Sequence, residues 1–209
     1  MAAMSTLPPA SGYSQRSREI EPFHVMSLLS RAQALEQQGH DVIHLEIGEP
    51  DFTTAAPVVR AGQQALEAGL TRYTAARGLP ALREAIAGFY RSRYRLEIDP
   101  DRILVTPGGS GALLLASSLL VDPGRHWLLA DPGYPCNRHF LRLVEGAAQL
   151  VPVDASSAYQ LTPAHIRRHW NGQSVGALVA SPANPTGTVL SADELANLSQ
   201  TLRERGGHL

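Results

Sequence analysis

From residue 101 onward, short apolar runs alternate with segments of helical pattern, and this alternation constrains the fold more than any other feature. The four runs cover residues 102–106, 126–130, 147–151 and 175–180. Short strands separated by helices are typical of a parallel sheet with helices on both faces. The sequence therefore predicts an α/β fold with a mostly parallel sheet and flanking helices. The last helix, over residues 191–205, shows a capping-box pattern in Ser191 and Glu194.

The part of the chain before residue 101 predicts mainly helices. Helical periodicity covers residues 25–38, 57–68 and 79–94. Residues 42–47 alternate weakly between apolar and polar, which indicates a short strand. In the third helix, the side chains expected to be buried are Leu82, Ile86, Phe89 and Tyr90.

Three parts are expected along the chain. Residues 1–20 predict an irregular tail, residues 21–44 an arm that contains a helix, and residues 45–209 an incomplete large domain. The domain is expected to be incomplete because Gly206 and Gly207 end the last helix and His208 begins a strand-like step. We therefore expect the sequence to be a fragment of a larger fold or a truncated reading frame.

Composition excludes several classes of function. Eighteen basic and nineteen acidic residues leave a net charge of −1, so we expect neither a nucleic-acid partner nor a membrane surface. The longest apolar run, residues 112–121, is too short to span a bilayer, and we expect a cytoplasmic protein. One cysteine, Cys136, excludes an internal disulfide. His165 and His169 lack an evident third ligand, so no metal site is expected.

All eighteen basic residues are arginines, and the sequence contains no lysine. Biased genomic composition alone would explain this. The chemical consequence is the same whatever its origin, because only a lysine amine gives a side-chain Schiff base.

Three distinctive loops fall where strands are predicted to end, at residues 106–111, 131–137 and 181–187. Ligands of parallel α/β sheets bind beyond the carboxyl ends of the strands. In the first loop, Gly108, Gly109 and Ser110 open a helix whose free N–H groups suit an anion such as phosphate. The alternative is a plain glycine turn, since the spacing fits neither nucleotide-binding fingerprint.

The other two loops each hold a side chain suited to a flat ligand. Tyr134 lies between two prolines and could stack on a ring, or pack beneath its own loop. Asn184 lies in a turn fixed by Pro182 and Pro185, and its amide could bind a ligand oxygen. The residues leave open whether these turns are functional.

Six ordered blocks resemble the amino-terminal half of the class I/II aminotransferases, which are pyridoxal-phosphate (PLP) enzymes of fold type I. The blocks are GEPDF at 48–52, YTAARG at 73–78, LREAI at 82–86, VTPGGS at 105–110, DPGYP at 131–135 and NPTG at 184–187. The likeness covers nearly all of the chain from residue 20 onward. It implies a large PLP-binding domain over residues 45–209 and transfer of an amino group from an amino acid to a 2-oxo acid.

The resemblance also implies a role for each site residue. Gly109 and Ser110 would bind the cofactor phosphate through backbone N–H groups, and Tyr134 would stack on the pyridine ring. Asn184 would hydrogen-bond the phenolic oxygen of the ring. Tyr73 would reach the phosphate of a partner subunit, which implies a homodimer in the full-length form. The Gly48 loop would border the substrate carboxylate.

No catalytic residue of the family matches a position in this sequence. The Schiff-base lysine, the aspartate of the pyridine nitrogen and the arginine of the substrate carboxylate would all lie beyond residue 209. Because no arginine replaces the lysine, we expect the chain alone to be inactive. Two alternatives stay open. A carbon–sulfur β-lyase or a cyclopropane-forming synthase shares the same blocks, and a non-catalytic regulatory or remnant domain would also keep them.

Overall fold

The computed structural model of the protein describes residues 12–209, which divide into two compact units. The sheet unit comprises residues 12–24 and Ser110–Leu209, and the helical unit comprises Val25–Gly109. Within the described range, no helix is long and apolar enough to cross a membrane.

Eight α-helices and three strands occur among the described residues. In chain order the elements are α1 Gln15–Glu19, α2 His24–Glu36, α3 Ala56–Glu67, α4 Pro80–Tyr94, α5 Gly108–Leu120, β1 His126–Asp131, α6 Cys136–Leu143, β2 Ala147–Pro152, α7 Pro163–His169, β3 Ser174–Leu178 and α8 Ala192–Arg203. Two short 3₁₀ helices lie at Pro100–Arg102 and Ala155–Ser157.

The three strands form one parallel sheet with β1 in the centre, in the order β2–β1–β3. Trp127 faces Ala148 of β2 on one side and Gly176 of β3 on the other. Apolar cores lie on both faces, because alternate residues of a strand point to opposite sides. Leu128 packs with residues of α7 and α8, whereas Trp127 and Leu129 pack with Leu141 of α6. The predicted α/β fold with a parallel sheet and flanking helices is confirmed.

The predicted capping box of the last helix is confirmed. The Glu194 amide donates to Ser191 Oγ at 3.2 Å, and the Ser191 amide donates to Glu194 Oε2 at 2.7 Å. After α8, the backbone of His208 pairs with β3 as a single parallel bridge to Gly176. The sequence prediction of a strand-like step at this position therefore agrees with the structure.

Two predicted strands, at residues 42–47 and 102–106, are wrong. The first segment is irregular, and Ile43 and Leu45 are more than four-fifths exposed. The second begins in a 3₁₀ helix, and its Val105 amide donates one bond to the Arg77 carbonyl at 3.1 Å. A strand exists only where a neighbour satisfies its backbone groups along its length, and neither segment has one among the described residues.

The buried side of α4 also differs from the prediction. Leu82, Phe89 and Tyr90 are exposed, and the buried residues are Arg83 and Ala87. The guanidinium of Arg83 explains this orientation, because it donates to the Pro100 carbonyl at 2.6 and 2.9 Å and to the Asp101 carboxylate at 2.5 Å. A buried charge requires such partners, so the face that carries Arg83 packs on the 3₁₀ turn.

The sequence predicts an irregular tail over residues 1–20, and residues 1–11 of it lie outside the described part. The remainder contains the single-turn helix α1, which has no apolar periodicity. Ser14 Oγ accepts a hydrogen bond from the Ser17 amide, and Gln15 donates to the Glu19 carboxylate at 2.7 Å. These local side-chain bonds stabilise a turn that a hydrophobic pattern would not predict.

Three ion pairs attach the segment around α1 to α6 and the turn after it. The pairs are Arg142–Glu19, Arg138–Glu21 at 2.9 Å and Arg16–Glu145 at 2.8 Å. The hydrogen bond from Arg142 holds the pKa of Glu19 below its ordinary value of 4.5. Glu19 therefore stabilises the attachment at neutral pH and loses this contribution as the pH falls through the lowered pKa.

Truncation of Leu198 should destabilise the sheet unit. Leu198 is fully buried in the core between the sheet and α8. We expect Leu198→Ala to lower the free energy of unfolding by about 2–5 kcal/mol, because it leaves a cavity. Asn197→Ala changes an exposed residue of the same helix and should alter the free energy of unfolding by less than about 0.5 kcal/mol. Equal effects in urea denaturation would contradict the assignment of the core.

Removal of the Glu19 charge should release the segment around α1. At neutral pH, Glu19→Gln mimics the protonated carboxyl, and trypsin cleavage after Arg16 and Arg18 should accelerate about two- to fivefold. Glu204→Gln removes the same charge from the end of α8 and is the matched control. Cleavage at the same rate in the two variants would show that the ion pair does not hold the segment.

Candidate functional site

An open cleft of about 230 Å³ lies at the carboxyl ends of β1 and β3 in the sheet unit. Its walls are the ends of these two strands, the loops that follow them and the start of α6, with Leu150 of β2, Tyr159 and Gln160 completing the lining. The topology explains its position, because β1 and β3 are parallel neighbours and their outgoing loops leave the sheet at the same edge.

The loop after β1 forms one wall and is held close to the strand that precedes it. Its backbone turns back at Gly133, where an added Cβ would lie 2.5 Å from the Ala130 carbonyl oxygen. Only glycine allows this approach. The Asp131 carbonyl accepts a hydrogen bond from the Val153 amide at 3.0 Å, which ties the start of the loop to the chain beyond β2. The loop therefore presents Tyr134 from a fixed backbone.

Tyr134 is half-buried and lines the cleft. The ring of Phe23 meets it edge-on, with centroids 6.2 Å apart and planes at 73°. Such an edge-to-face contact fixes the orientation of the ring. Hydrogen bonding with the Cys136 side chain and partial burial raise the pKa of Tyr134 above its ordinary value. The phenol is therefore neutral at physiological pH and offers an uncharged aromatic ring.

The turn after β3 forms the facing wall and carries Asn184. The Ala183 amide donates to the Thr188 carbonyl at 2.8 Å, and the Gly187 amide donates to the Ala183 carbonyl at 2.7 Å. Gly187 has a φ of +70°, a conformation that glycine adopts without strain. These bonds close residues 183–188 into a compact turn, and Asn184 is exposed at its tip.

The structure brings together two of the residues that the sequence predicts for the site. Tyr134 and Asn184 line the same cleft, whereas Ser110 is exposed in the first turn of α5 and is not part of the lining. Gly48 and Tyr73 belong to the helical unit. Gly48 lies in an irregular segment, and Tyr73 is fully exposed.

Sequence reasoning missed three residues of the lining that have polar side chains: Arg138, Tyr159 and Gln160. Asn137 lies in the predicted loop 131–137 but was given no role. Arg138 pairs with Glu21, and the backbone N–H of Asn137 donates to the Tyr134 carbonyl at 3.2 Å. Arg138 directly follows the predicted loop 131–137 in the chain, and this position could have indicated that it lines the cleft. Gln160 has no such signal, since it lies far from the loop motifs in the chain.

Comparison with known proteins shows the family. The family model for aminotransferase class I and II matches residues 40–209. A (5-formylfuran-3-yl)methyl phosphate transaminase from Methanocaldococcus jannaschii is 38% identical over 180 residues, which is 86% of this chain and 46% of that protein. A valine–pyruvate aminotransferase from Mycobacterium tuberculosis is 35% identical over 180 residues, also 86% of this chain and 46% of that protein.

Solved structures agree with the sequence relatives. The aspartate aminotransferase of Thermus thermophilus with maleate superimposes with a TM-score of 0.88 at 31% identity, covering 95% of this chain and 52% of that one. The chain thus spans about half the length of the relatives it matches. The fold and the family model agree, and the chain belongs to the class I and II aminotransferases.

Proposed function

We propose that the chain is the amino-terminal part of a PLP-dependent aminotransferase, which transfers an amino group from an amino acid to a 2-oxo acid. The observation that carries the proposal is the cleft that Tyr134 and Asn184 share at the carboxyl edge of the sheet, in a chain of this family. Parallel α/β sheets bind their ligands at this edge. The second observation is that the relatives described above are named as transaminases.

The residues of the cleft fit the ring of PLP. An uncharged aromatic side chain and a primary amide face one open cleft, and these two groups suit a flat ring with an oxygen substituent. Tyr134 would stack on the ring, and Asn184 would donate a hydrogen bond to its phenolic oxygen. When bound, PLP supplies the electron-withdrawing ring that amino-group transfer needs.

The phosphate of the cofactor is assigned to the start of α5. Gly109 and Ser110 are exposed there, and the first N–H groups of a helix have no partner within it. Tyr73 would contribute to the same phosphate from a partner subunit. Its full exposure leaves the side chain available for a partner, which supports a homodimer. The Gly48 loop is proposed to border the substrate carboxylate.

The absence of lysine makes the 209 residues catalytically incomplete in this proposal. No side chain of the chain offers the amine that holds the cofactor covalently and moves the proton at the amino-acid α-carbon. Since the chain spans about half of its relatives, we propose that the lysine belongs to the half of the family fold that it does not span.

We propose that the two substrates are an amino acid, which gives the amino group, and a 2-oxo acid, which receives it. The relatives differ in the substrates that their names state, from aspartate to valine with pyruvate. A carbon–sulfur β-lyase of the same fold has no specific observation in its favour. We propose a cytoplasmic location for the protein, as the sequence predicts.

Loss of the Asn184 amide should weaken cofactor binding. In the protein made from its complete reading frame, we expect Asn184→Ala to raise the dissociation constant for PLP about two- to tenfold, the effect of one hydrogen bond. Asn197→Ala is the matched control, because it truncates an exposed asparagine of α8. Fluorescence titration measures both constants. An unchanged constant for Asn184→Ala would contradict the assignment of this residue.

The reaction class is tested by two assays on the same preparation. The protein from the complete reading frame should transfer amino groups to 2-oxoglutarate and should release no pyruvate from cystathionine. Predominant pyruvate release would support the lyase instead. The 209-residue chain alone, mixed with PLP and borohydride, should carry no pyridoxyl label on a side chain. Transfer activity in that chain would contradict its proposed incompleteness.

A further inference from the structure

Gln160 is a buried polar residue in the lining of the cleft. It follows the 3₁₀ helix Ala155–Ser157 and precedes α7, and only 4% of its surface is exposed. It therefore belongs neither to the loop of Tyr134 nor to the turn of Asn184. A buried amide in an apolar core is costly unless its hydrogen-bonding groups find partners.

The side-chain nitrogen of Gln160 contacts the chain just before the Asn184 turn of residues 183–188 and the last residue of that turn. Nε2 donates to the Ala180 carbonyl at 3.1 Å, three residues before the turn begins. It also lies 3.1 Å from the Thr188 carbonyl and 3.2 Å from Thr188 Oγ1, where the turn ends. The two N–H groups of a primary amide thus face three acceptors, so one hydrogen is shared.

These bonds add to those made inside the turn. The Thr188 carbonyl accepts from the Ala183 amide as well as from Gln160. The inner bonds join Ala183 to Gly187 and Thr188, but they do not include Ala180. Gln160 thus connects the chain before the turn to the end of the turn, together with the Ser181 hydroxyl, which accepts from the Leu190 backbone N–H at 2.9 Å.

We propose that Gln160 is a positioning residue, which holds the Asn184 turn closed and so fixes the Asn184 amide for the cofactor. The claim that Gln160 holds the turn stands on the structure alone. The claim that this fixes Asn184 for the cofactor rests on the proposed function. Gln160 acts through Asn184 and makes no bond to the cofactor. Without the amide, the carbonyl oxygens of Ala180 and Thr188 each lose a donor, and the turn opens more often.

The chain offers a matched control in Gln149. Gln149 lies in β2, outside the lining of the cleft, and its Nε2 donates to the His169 carbonyl at 3.0 Å. Gln149 is half-buried and Gln160 is buried, but each donates its side-chain amide to a backbone carbonyl twenty residues away in the chain. A general loss of stability would therefore appear in Gln149→Met as well as in Gln160→Met.

The first test needs no cofactor and uses amide hydrogen exchange in the chain. We expect Gln160→Met to accelerate exchange of the Ala183 and Gly187 amides about fivefold relative to the wild type, and Gln149→Met to leave both unchanged. Gln160→Glu keeps the shape of the side chain but loses its donor hydrogens. The Ala183 and Gly187 amides should therefore exchange at least as fast in Gln160→Glu as in Gln160→Met. Wild-type exchange in Gln160→Met or in Gln160→Glu would overturn the proposal.

The second test connects the turn to the cofactor in the protein from the complete reading frame. We expect Gln160→Met to raise the dissociation constant for PLP about two- to tenfold, and Asn184→Ala to add little to it in the double variant. Fully additive effects of the two changes would overturn the link to Asn184. Failure of the wild type to bind PLP would instead refute the proposed function, and the exchange test would still decide whether Gln160 holds the turn.

Discussion

The central strand β1 determines where the site lies, because its backbone must be paired on both sides. Its apolar run places Leu128 on one face and Trp127 and Leu129 on the other, so the strand can only be buried in the middle of the sheet. The strands β2 and β3 pair with it in parallel on either side, and the carboxyl ends of β1 and β3 therefore meet at one edge of the sheet. Tyr134 and Asn184 share a cleft because these two strands are hydrogen-bonded partners.

The elements that the sequence predicted correctly carry their own signal locally. The three observed strands are apolar runs bounded by turn residues. The start of the last helix is marked in the sequence by the capping box of Ser191 and Glu194. The segments predicted wrongly as strands have the same local pattern but no partner among the described residues. Pairing is a property of the fold and not of the segment, so periodicity over residues 42–47 or 102–106 does not supply it.

The residues of the candidate site also differ in whether the sequence could predict them. The common cleft of Tyr134 and Asn184 was predictable, because each residue lies in a proline-bounded loop after a strand and the topology brings these loops together. Gln160 was not predictable, since its role depends on contacts with Ala180 and Thr188, twenty and twenty-eight residues further along the chain. The burial of Arg83 was missed for a similar reason. Its partners Pro100 and Asp101 lie in a 3₁₀ turn that the sequence did not predict, just before the segment 102–106 that was wrongly predicted as a strand.

A crystal structure of the protein made from its complete reading frame and grown with PLP tests the central claim most directly. The account predicts the pyridine ring against Tyr134, with the Asn184 amide on the phenolic oxygen and the phosphate at Gly109 and Ser110. A cofactor bound elsewhere on the molecule, or one that touches neither Tyr134 nor Asn184, would contradict the account.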